Sequence, residues 1–192
     1  MWNEQIIMML LEGIKDTLYM TLTSTLIGYV IGLPMGILLT VTDKDGIHPN
    51  AAVYKVLDVI ANLIRSVPFL ILLIVLIPFT RFLIGRSYGP TATIVPLVIA
   101  AAPYIARMVE SSLKEVDAGV IEAARSMGAS NFTIVTKVML VEARTSLIVG
   151  ATISLGTILG YSAMAGTVGG GGLGDIAIRY GYTRWQTDIM IV

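Results

Sequence analysis

The sequence predicts an all-α polytopic membrane protein, and three observations support that class. Of the 192 residues, 55% are hydrophobic and only 14% are charged, whereas an ordinary soluble domain carries about 25% charged residues. Three long intervals hold no charged residue, namely 17–42, 87–106 and 145–174, and about 20 mostly apolar residues let a helix cross the hydrocarbon core. These intervals are continuously apolar rather than alternating, which favours helices over a transmembrane β-barrel.

Four complete spans are predicted in chain order, at about 17–41, 60–82, 90–108 and 147–166. The first is interpreted as a retained span rather than a secretory signal, because the acidic residues Glu4, Glu12 and Asp16 precede it and no basic leader does. The stretch 59–80, on which the second span is based, carries one charge, Arg65, near its start, where a long side chain can reach the interface. Residues 187–192 are interpreted as the start of a fifth span, so we expect the chain to be about one helix short.

Small residues recur at helical spacing inside two of the spans. In the first span they follow one another every four residues and form one ridge: Ser24, Gly28, Gly32, Gly36 and Thr40. Gly156 and Gly160 repeat the spacing in the last complete span. Such ridges let another backbone come close, and prolines in or beside the spans break backbone hydrogen bonds. Together these features favour helices that bend or slide, as in a transporter, over a passive anchor.

The loop at about 110–144 differs from an ordinary membrane loop because it mixes charges of both signs with helical spacing. Asp117 is predicted to cap a short helix that ends at a left-handed Gly128. Ser130 or Asn131 is predicted to cap a second helix, whose apolar stripe consists of Phe132, Val135, Val138 and Met139. The loop is either a linker resting on lipid or a docking surface for a soluble partner.

The sequence Glu122-Ala123-Ala124, followed by Gly128 and then by Val138-x-Leu140, resembles the signature of ABC-importer permeases. It departs from that signature at Val138, where isoleucine is usual, and at Val141, where proline is usual. Four further strings resemble the methionine-importer permeases within that family: 65–69, 101–110, 160–166 and 169–175.

This resemblance implies a type I ABC-importer permease fold in the bacterial cytoplasmic (inner) membrane. It implies a homodimer with a second permease copy, two copies of an ATP-binding cassette subunit, an extracytoplasmic substrate-binding lipoprotein and surrounding membrane lipid. Glu122, Ala123, Ala124 and Gly128 then form the coupling region that enters the ATPase. The substrate is expected to be methionine (L and/or D) or a close analogue, with ATP and Mg²⁺ bound by the partner ATPase.

The residues themselves exclude several functions. The chain has no cysteine, its one histidine is His48, and its formal net charge is zero, so thiolate chemistry, a multi-histidine metal site and nucleic acid binding are not expected. The glycine-rich stretch 169–174 lacks the Lys-Ser or Lys-Thr of a phosphate-binding loop and is interpreted as an outer loop. We therefore expect no cofactor and no enzymatic activity in this chain.

The proposed pathway residues are Tyr161, Ser162 and Met164, because they form a polar and small-residue cluster in the fourth span and a methionine is flexible enough to gate a passage. Arg65 and Arg107 are expected to reach lipid rather than substrate. The alternatives are an ABC permease for another small amino acid or solute, a secondary transporter and a non-transporting membrane scaffold. Co-purification with an ATP-binding subunit separates the importer from the last two.

Overall fold

The computed structural model describes residues 4–191, and over that range its regular structure is helical with no strand. The elements follow in chain order: α1 Glu4–Thr42, α2 Ala51–Ser66, α3 Phe69–Val75, α4 Ile77–Ile84, α5 Pro90–Lys114, α6 Ala118–Ser126, α7 Asn131–Thr133, a π-helical turn Ile134–Met139, α8 Leu140–Glu142, α9 Arg144–Ala165, a 3₁₀ turn Gly166–Val168, α10 Gly172–Ile176, a second π-helical turn Ala177–Tyr182 and α11 Thr187–Ile191. The all-α class is confirmed.

Within the described range, three helical stretches are long and apolar enough to cross a membrane: Glu4–Thr42, Pro90–Lys114 and Arg144–Tyr182. They contain the predicted spans 17–41, 90–108 and 147–166. Helix α11 covers most of the predicted start of a fifth span, and Val192 lies outside the described residues.

The predicted second span, 60–82, is corrected because it is not one helix. Helix α2 ends at Ser66 and α3 begins at Phe69, so a fourth span exists only if this broken pair is counted as one. Pro68 is the cause: it has no N–H to donate, and its ring disfavours helical geometry at Val67 before it. Its own ψ of 134° is extended.

The chain forms two compact units. Within the described range, the first contains residues 4–27, 67–100 and 155–191, and the second contains residues 28–66 and 101–154. The buried side chains of the first unit include Met20, Leu97 and Ile158. Those of the second include Leu39 and Ile105.

In the second unit the glycine ridge of α1 packs against α5, as the spacing predicts. A Cβ added at Gly36 would lie 2.5 Å from the carbonyl oxygen of Ala106, and one added at Gly32 would lie 2.7 Å from that of Ala102. The backbones of α1 and α5 are therefore closer at Gly32 and Gly36 than a side chain at either position would permit. By contrast, a Cβ at Gly156 or Gly160 would meet no atom within 4 Å among the described residues.

Candidate functional site

The candidate coupling region in the second unit is built on two local caps. The Asp117 carboxylate accepts a hydrogen bond of 2.7 Å from the backbone N–H of Gly119 and starts α6, and the Ser130 hydroxyl accepts one of 3.2 Å from the N–H of Thr133 and starts α7. Between the two helices Gly128 has a φ of +81°, a conformation that glycine adopts without a Cβ penalty. Both predicted caps and the left-handed turn are confirmed.

The structure separates the four predicted coupling residues by exposure. Glu122, Ala123 and Gly128 are exposed, whereas Ala124 is buried with 5% exposure. Ala123 and Gly128 therefore leave backbone accessible to a partner, while the small side chain of Ala124 packs inward within the unit.

Two exposed apolar residues in this region were missed by the coupling-residue prediction. Met127 is 81% exposed and Phe132 is 77% exposed. Of the predicted apolar stripe of the second helix, Met139 is buried and Val135 and Val138 are half-buried, whereas Phe132 is exposed; Ile134, which lies outside the stripe, is also buried. The π-helical turn Ile134–Met139 explains the difference, because a wider turn shifts which residues share a face. The sequence signal for Phe132 is its position two residues after the Ser130 cap, before the π-helical turn begins.

The loop between α1 and α2, residues 43–50, lies against α6. The Arg125 guanidinium donates a hydrogen bond of 2.6 Å from Nη2 to the carbonyl oxygen of Ile47. A cavity of about 480 Å³ adjoins this contact, with Thr40, Leu113, Glu122 and Met139 among its lining residues.

A charged cluster joins the end of α1 to α2 and α5. Arg107 binds Asp58 through one guanidinium nitrogen and Glu110 through the other, the latter at 2.7 Å. Lys114 binds Glu110 at 2.8 Å and Asp43 at 2.6 Å. The expectation that Arg107 reaches lipid is therefore wrong, because its carboxylate partners lie on the same unit. The hydrogen bond from Lys114 lowers the pKa of the Asp43 carboxyl below its usual value.

The three predicted pathway residues do not share one surface of the first unit. Tyr161 is half-buried and its ring stacks on that of Phe69, with the centroids 4.4 Å apart. Ser162 is 1% exposed, donates a hydrogen bond of 2.7 Å to the carbonyl of Leu159 and lies 3.4 Å from the Thr21 hydroxyl. Met164 is 46% exposed, so it is the most accessible of the three.

The glycine-rich segment after α9 is packed against the rest of the first unit. The backbone N–H of Leu173 donates a hydrogen bond of 2.9 Å to the Thr17 hydroxyl of α1, and a Cβ at Gly174 would collide with the backbone of Ala163. Gly172 has a φ of +75°, as expected for a loop with unusual backbone angles. The glycines therefore serve a tight turn and close packing.

Comparison with known proteins finds similarity to membrane components of transport systems. A family model described as "Binding-protein-dependent transport system inner membrane component" matches residues 9–189. A probable D-methionine transport system permease protein of Vibrio cholerae is 47% identical over 96% of this chain and 82% of that protein. The D-methionine transport system permease protein of Escherichia coli strain K12 is 51% identical over 85% of this chain and 76% of that protein.

Solved structures match as well. Two crystal forms of the MetNI methionine ABC transporter in inward-facing conformations contain a chain that is 49% identical, with TM-scores of 0.96 and 0.97 over 99% of this chain and 88% of that chain. An amino acid ABC transporter with histidines matches at 22% identity with a TM-score of 0.76 over 95% of this chain and 82% of that chain, which supports the fold alone.

Proposed function

Because the chain belongs to the family of binding-protein-dependent transport system inner membrane components, we propose that it is the permease subunit of an ATP-driven importer of methionine (L and/or D) or a close analogue. It is a multi-pass protein of the bacterial inner membrane with the type I ABC permease fold. Methionine is proposed as the substrate because the sequence is about 50% identical, over most of the chain, to D-methionine permeases. ATP hydrolysis belongs to a separate subunit, so the chain itself is not an enzyme.

The assembly that we propose contains two copies of this chain and two ATP-binding cassette subunits. The likeness to a chain of a methionine ABC transporter supports both kinds of partner. We further propose that an extracytoplasmic substrate-binding lipoprotein delivers the substrate and that lipid surrounds the apolar helices. ATP and Mg²⁺ are bound by the cassette subunits, and this chain binds no cofactor.

The proposed docking face consists of Glu122, Ala123, Met127, Gly128 and Phe132. Large exposed apolar side chains are energetic anchors when a partner buries them, and Met127 and Phe132 stand on either side of the left-handed turn. Glu122 adds a charge that selects the orientation of the partner. Ala123 and Gly128 keep the surface low enough for close approach.

The proposed mechanism is alternating access. ATP binding draws the two ATPase subunits together, and each carries the coupling region of one permease copy with it. This movement shifts a rigid-body equilibrium between inward-open and outward-open arrangements, provided that ATP binds the two arrangements with different affinity. We propose Met164, with Tyr161 and Ser162 nearby in sequence, as the gate of the pathway.

The test is reconstitution of the complete transporter in proteoliposomes, with ATP inside and the binding protein outside. We expect the ATP-binding subunit to co-purify with this chain and labelled methionine to accumulate only with ATP. Unlabelled L- and D-methionine are then compared as competitors with other small amino acids. Failure of labelled methionine to accumulate, while another labelled small amino acid does accumulate, would overturn the methionine assignment, and absence of the ATPase from the purified complex would overturn the importer.

The docking face is tested in the same vesicles with Glu122→Lys. We expect uptake to fall to background, because the reversed charge meets a surface that accommodates a carboxylate. Glu142→Lys is the matched control, since Glu142 is an exposed carboxylate of the same loop on α8. Equal uptake by the two variants would remove Glu122 from the docking face.

A further inference from the structure

The loop of residues 43–50, which joins α1 to α2, is fixed at both ends by its own backbone. The N–H of His48 donates to the carbonyl of Val41 at 3.0 Å, and the N–H of Asn50 donates to that of Thr42 at 2.9 Å. The Asn50 side chain in turn accepts from the N–H of Val53 in α2 at 3.2 Å. A displacement of this loop is therefore passed to the end of α1 and to the start of α2.

Helix α6 is connected to the chain by two non-helical segments. Residues 115–117 separate it from α5, and the left-handed turn at Gly128 separates it from α7. Such segments absorb changes in backbone angle. A movement of α6 would thus be lost at its covalent connections unless a lateral contact carried it to the longer helices.

Arg125 supplies such a lateral contact. Its guanidinium Nη2 donates a hydrogen bond of 2.6 Å to the carbonyl oxygen of Ile47, and Ile47 is itself 8% exposed. A hydrogen bond from a charged donor is roughly twice as strong as a neutral one. The adjoining cavity of about 480 Å³ also leaves part of the space between α6 and the loop unfilled by side chains, so a polar contact rather than close packing joins them at this point.

We propose that Arg125 is a positioning residue that transmits movement of α6 through the Ile47 carbonyl to α1 and α2, and so couples ATP use to transport. The proposal rests on the proposed importer function. It assigns to Arg125 a role in force transmission within this chain, distinct from the docking face that contacts the ATPase. Substitution of Arg125 should accordingly separate ATP hydrolysis from transport rather than weaken assembly.

The first arm of the test uses the complete transporter in proteoliposomes with Arg125→Gln. We expect the ATPase to co-purify at the unmodified ratio and ATP hydrolysis to persist, while uptake per ATP falls about fivefold or more, the range of ordinary coupling energies. Arg125→Lys keeps a charged donor and should restore much of the uptake. The control Lys44→Ala removes an exposed cation of the loop 43–50, whose pair with Asp45 is 3.6 Å long, and should change uptake by less than about twofold.

The second arm does not depend on the transported solute. The chain contains no cysteine, so Asp45→Cys places one spin label on each copy of the chain, at an exposed position of the loop. We expect ATP with vanadate to change the spectrum of this label in the otherwise unmodified complex and to leave it unchanged when Arg125→Gln is added.

The outcomes distinguish the two proposals. Failure of the unmodified complex to import methionine would overturn the proposed substrate, while the label would still report on Arg125. Unchanged uptake per ATP, an ATP response of the label that survives Arg125→Gln, or no response in the unmodified complex would each overturn the role of Arg125. Loss of the ATPase from the Arg125→Gln complex would also overturn it, because Arg125 would then be a docking contact.

Discussion

Arg107 is a charged residue within the long apolar helix α5, and the structure shows how its charge is accommodated. The side chain is only 17% exposed and contacts Asp58 and Glu110, of which Glu110 is 7% exposed. Buried charges in proteins are paired because an unpaired one loses its hydration without compensation. The pairing explains why a cation is tolerated at this position.

We therefore predict that Arg107→Ala lowers the free energy of unfolding by about 2 kcal/mol, below the 3–5 kcal/mol for breaking a fully buried pair because solvent partly screens this one. Thermal unfolding in detergent would measure the change. Arg179→Ala is the matched control: Arg179 also pairs with a carboxylate, that of Asp175 at 2.8 Å, but is 56% exposed. Equal destabilisation by the two substitutions would contradict the prediction.

The proposal that Met164 gates the pathway also leads to a prediction for a single residue. If its exposed side chain obstructs the pathway, Met164→Ala should raise ATP-independent leak of methionine, because truncation removes the flexible part of the obstruction. Met164→Leu should keep the leak low. Leak is measured in proteoliposomes without ATP, with Met8→Ala as a control, since Met8 is 62% exposed in α1. An unchanged leak in Met164→Ala would remove Met164 from the gate.

At residue scale, the sequence predicts what depends on neighbouring residues. The caps at Asp117 and Ser130 and the turn at Gly128 follow from contacts within three residues, and all three are confirmed. The partners of Arg107 lie up to 49 residues away in sequence. No local pattern indicates which carboxylate a cation will meet, so only the tertiary packing reveals it.

At the scale of elements, α1 and α5 show what a periodic pattern establishes. The ridge spacing indicates that a backbone will approach α1, but it does not say which one. The structure identifies that helix as α5. Conversely, the apolar content of 60–82 predicts a span and gives no sign that Pro68 divides it, because hydropathy averages over backbone geometry.

The close contact between α1 and α5 predicts that glycine-to-alanine substitutions at Gly36 and at Gly150 have different effects on stability. Gly36→Ala places a Cβ 2.5 Å from the carbonyl oxygen of Ala106, and we expect it to lower the free energy of unfolding by about 1–3 kcal/mol, as overpacking does. Gly150→Ala places its Cβ 3.6 Å from Met108, an ordinary contact. It should be neutral or stabilising, because alanine favours helices over glycine by up to about 1 kcal/mol.

Both effects are measured by unfolding of the purified protein in detergent, with the two variants compared side by side. A Gly36→Ala variant as stable as Gly150→Ala would mean that α1 and α5 do not pack as closely as the structure shows.

At the scale of the whole molecule, exposed apolar side chains occur in two settings. Many lie on the helices long enough to cross a membrane, where lipid is the surrounding medium, as for Leu26 and Val30 of α1. Met127 and Phe132 instead lie in the charged loop, among exposed polar residues. Water is unfavourable for such side chains, and assembly with the ATPase is the proposed process that covers them.

Assembly should therefore depend on Phe132 more than on other exposed aromatic residues. We predict that Phe132→Asp weakens association with the ATP-binding subunit about tenfold or more, because aromatic anchors at an interface contribute at least one factor of ten. Phe132→Leu keeps an apolar side chain and should retain most of the affinity.

Trp185→Asp is the control, since Trp185 is 87% exposed in the first unit. The measurement is titration of purified permease with the ATPase in detergent, with helical content checked for each variant. If Phe132→Asp bound the ATPase as tightly as Trp185→Asp does, the exposed apolar residues of the loop would not be the anchor.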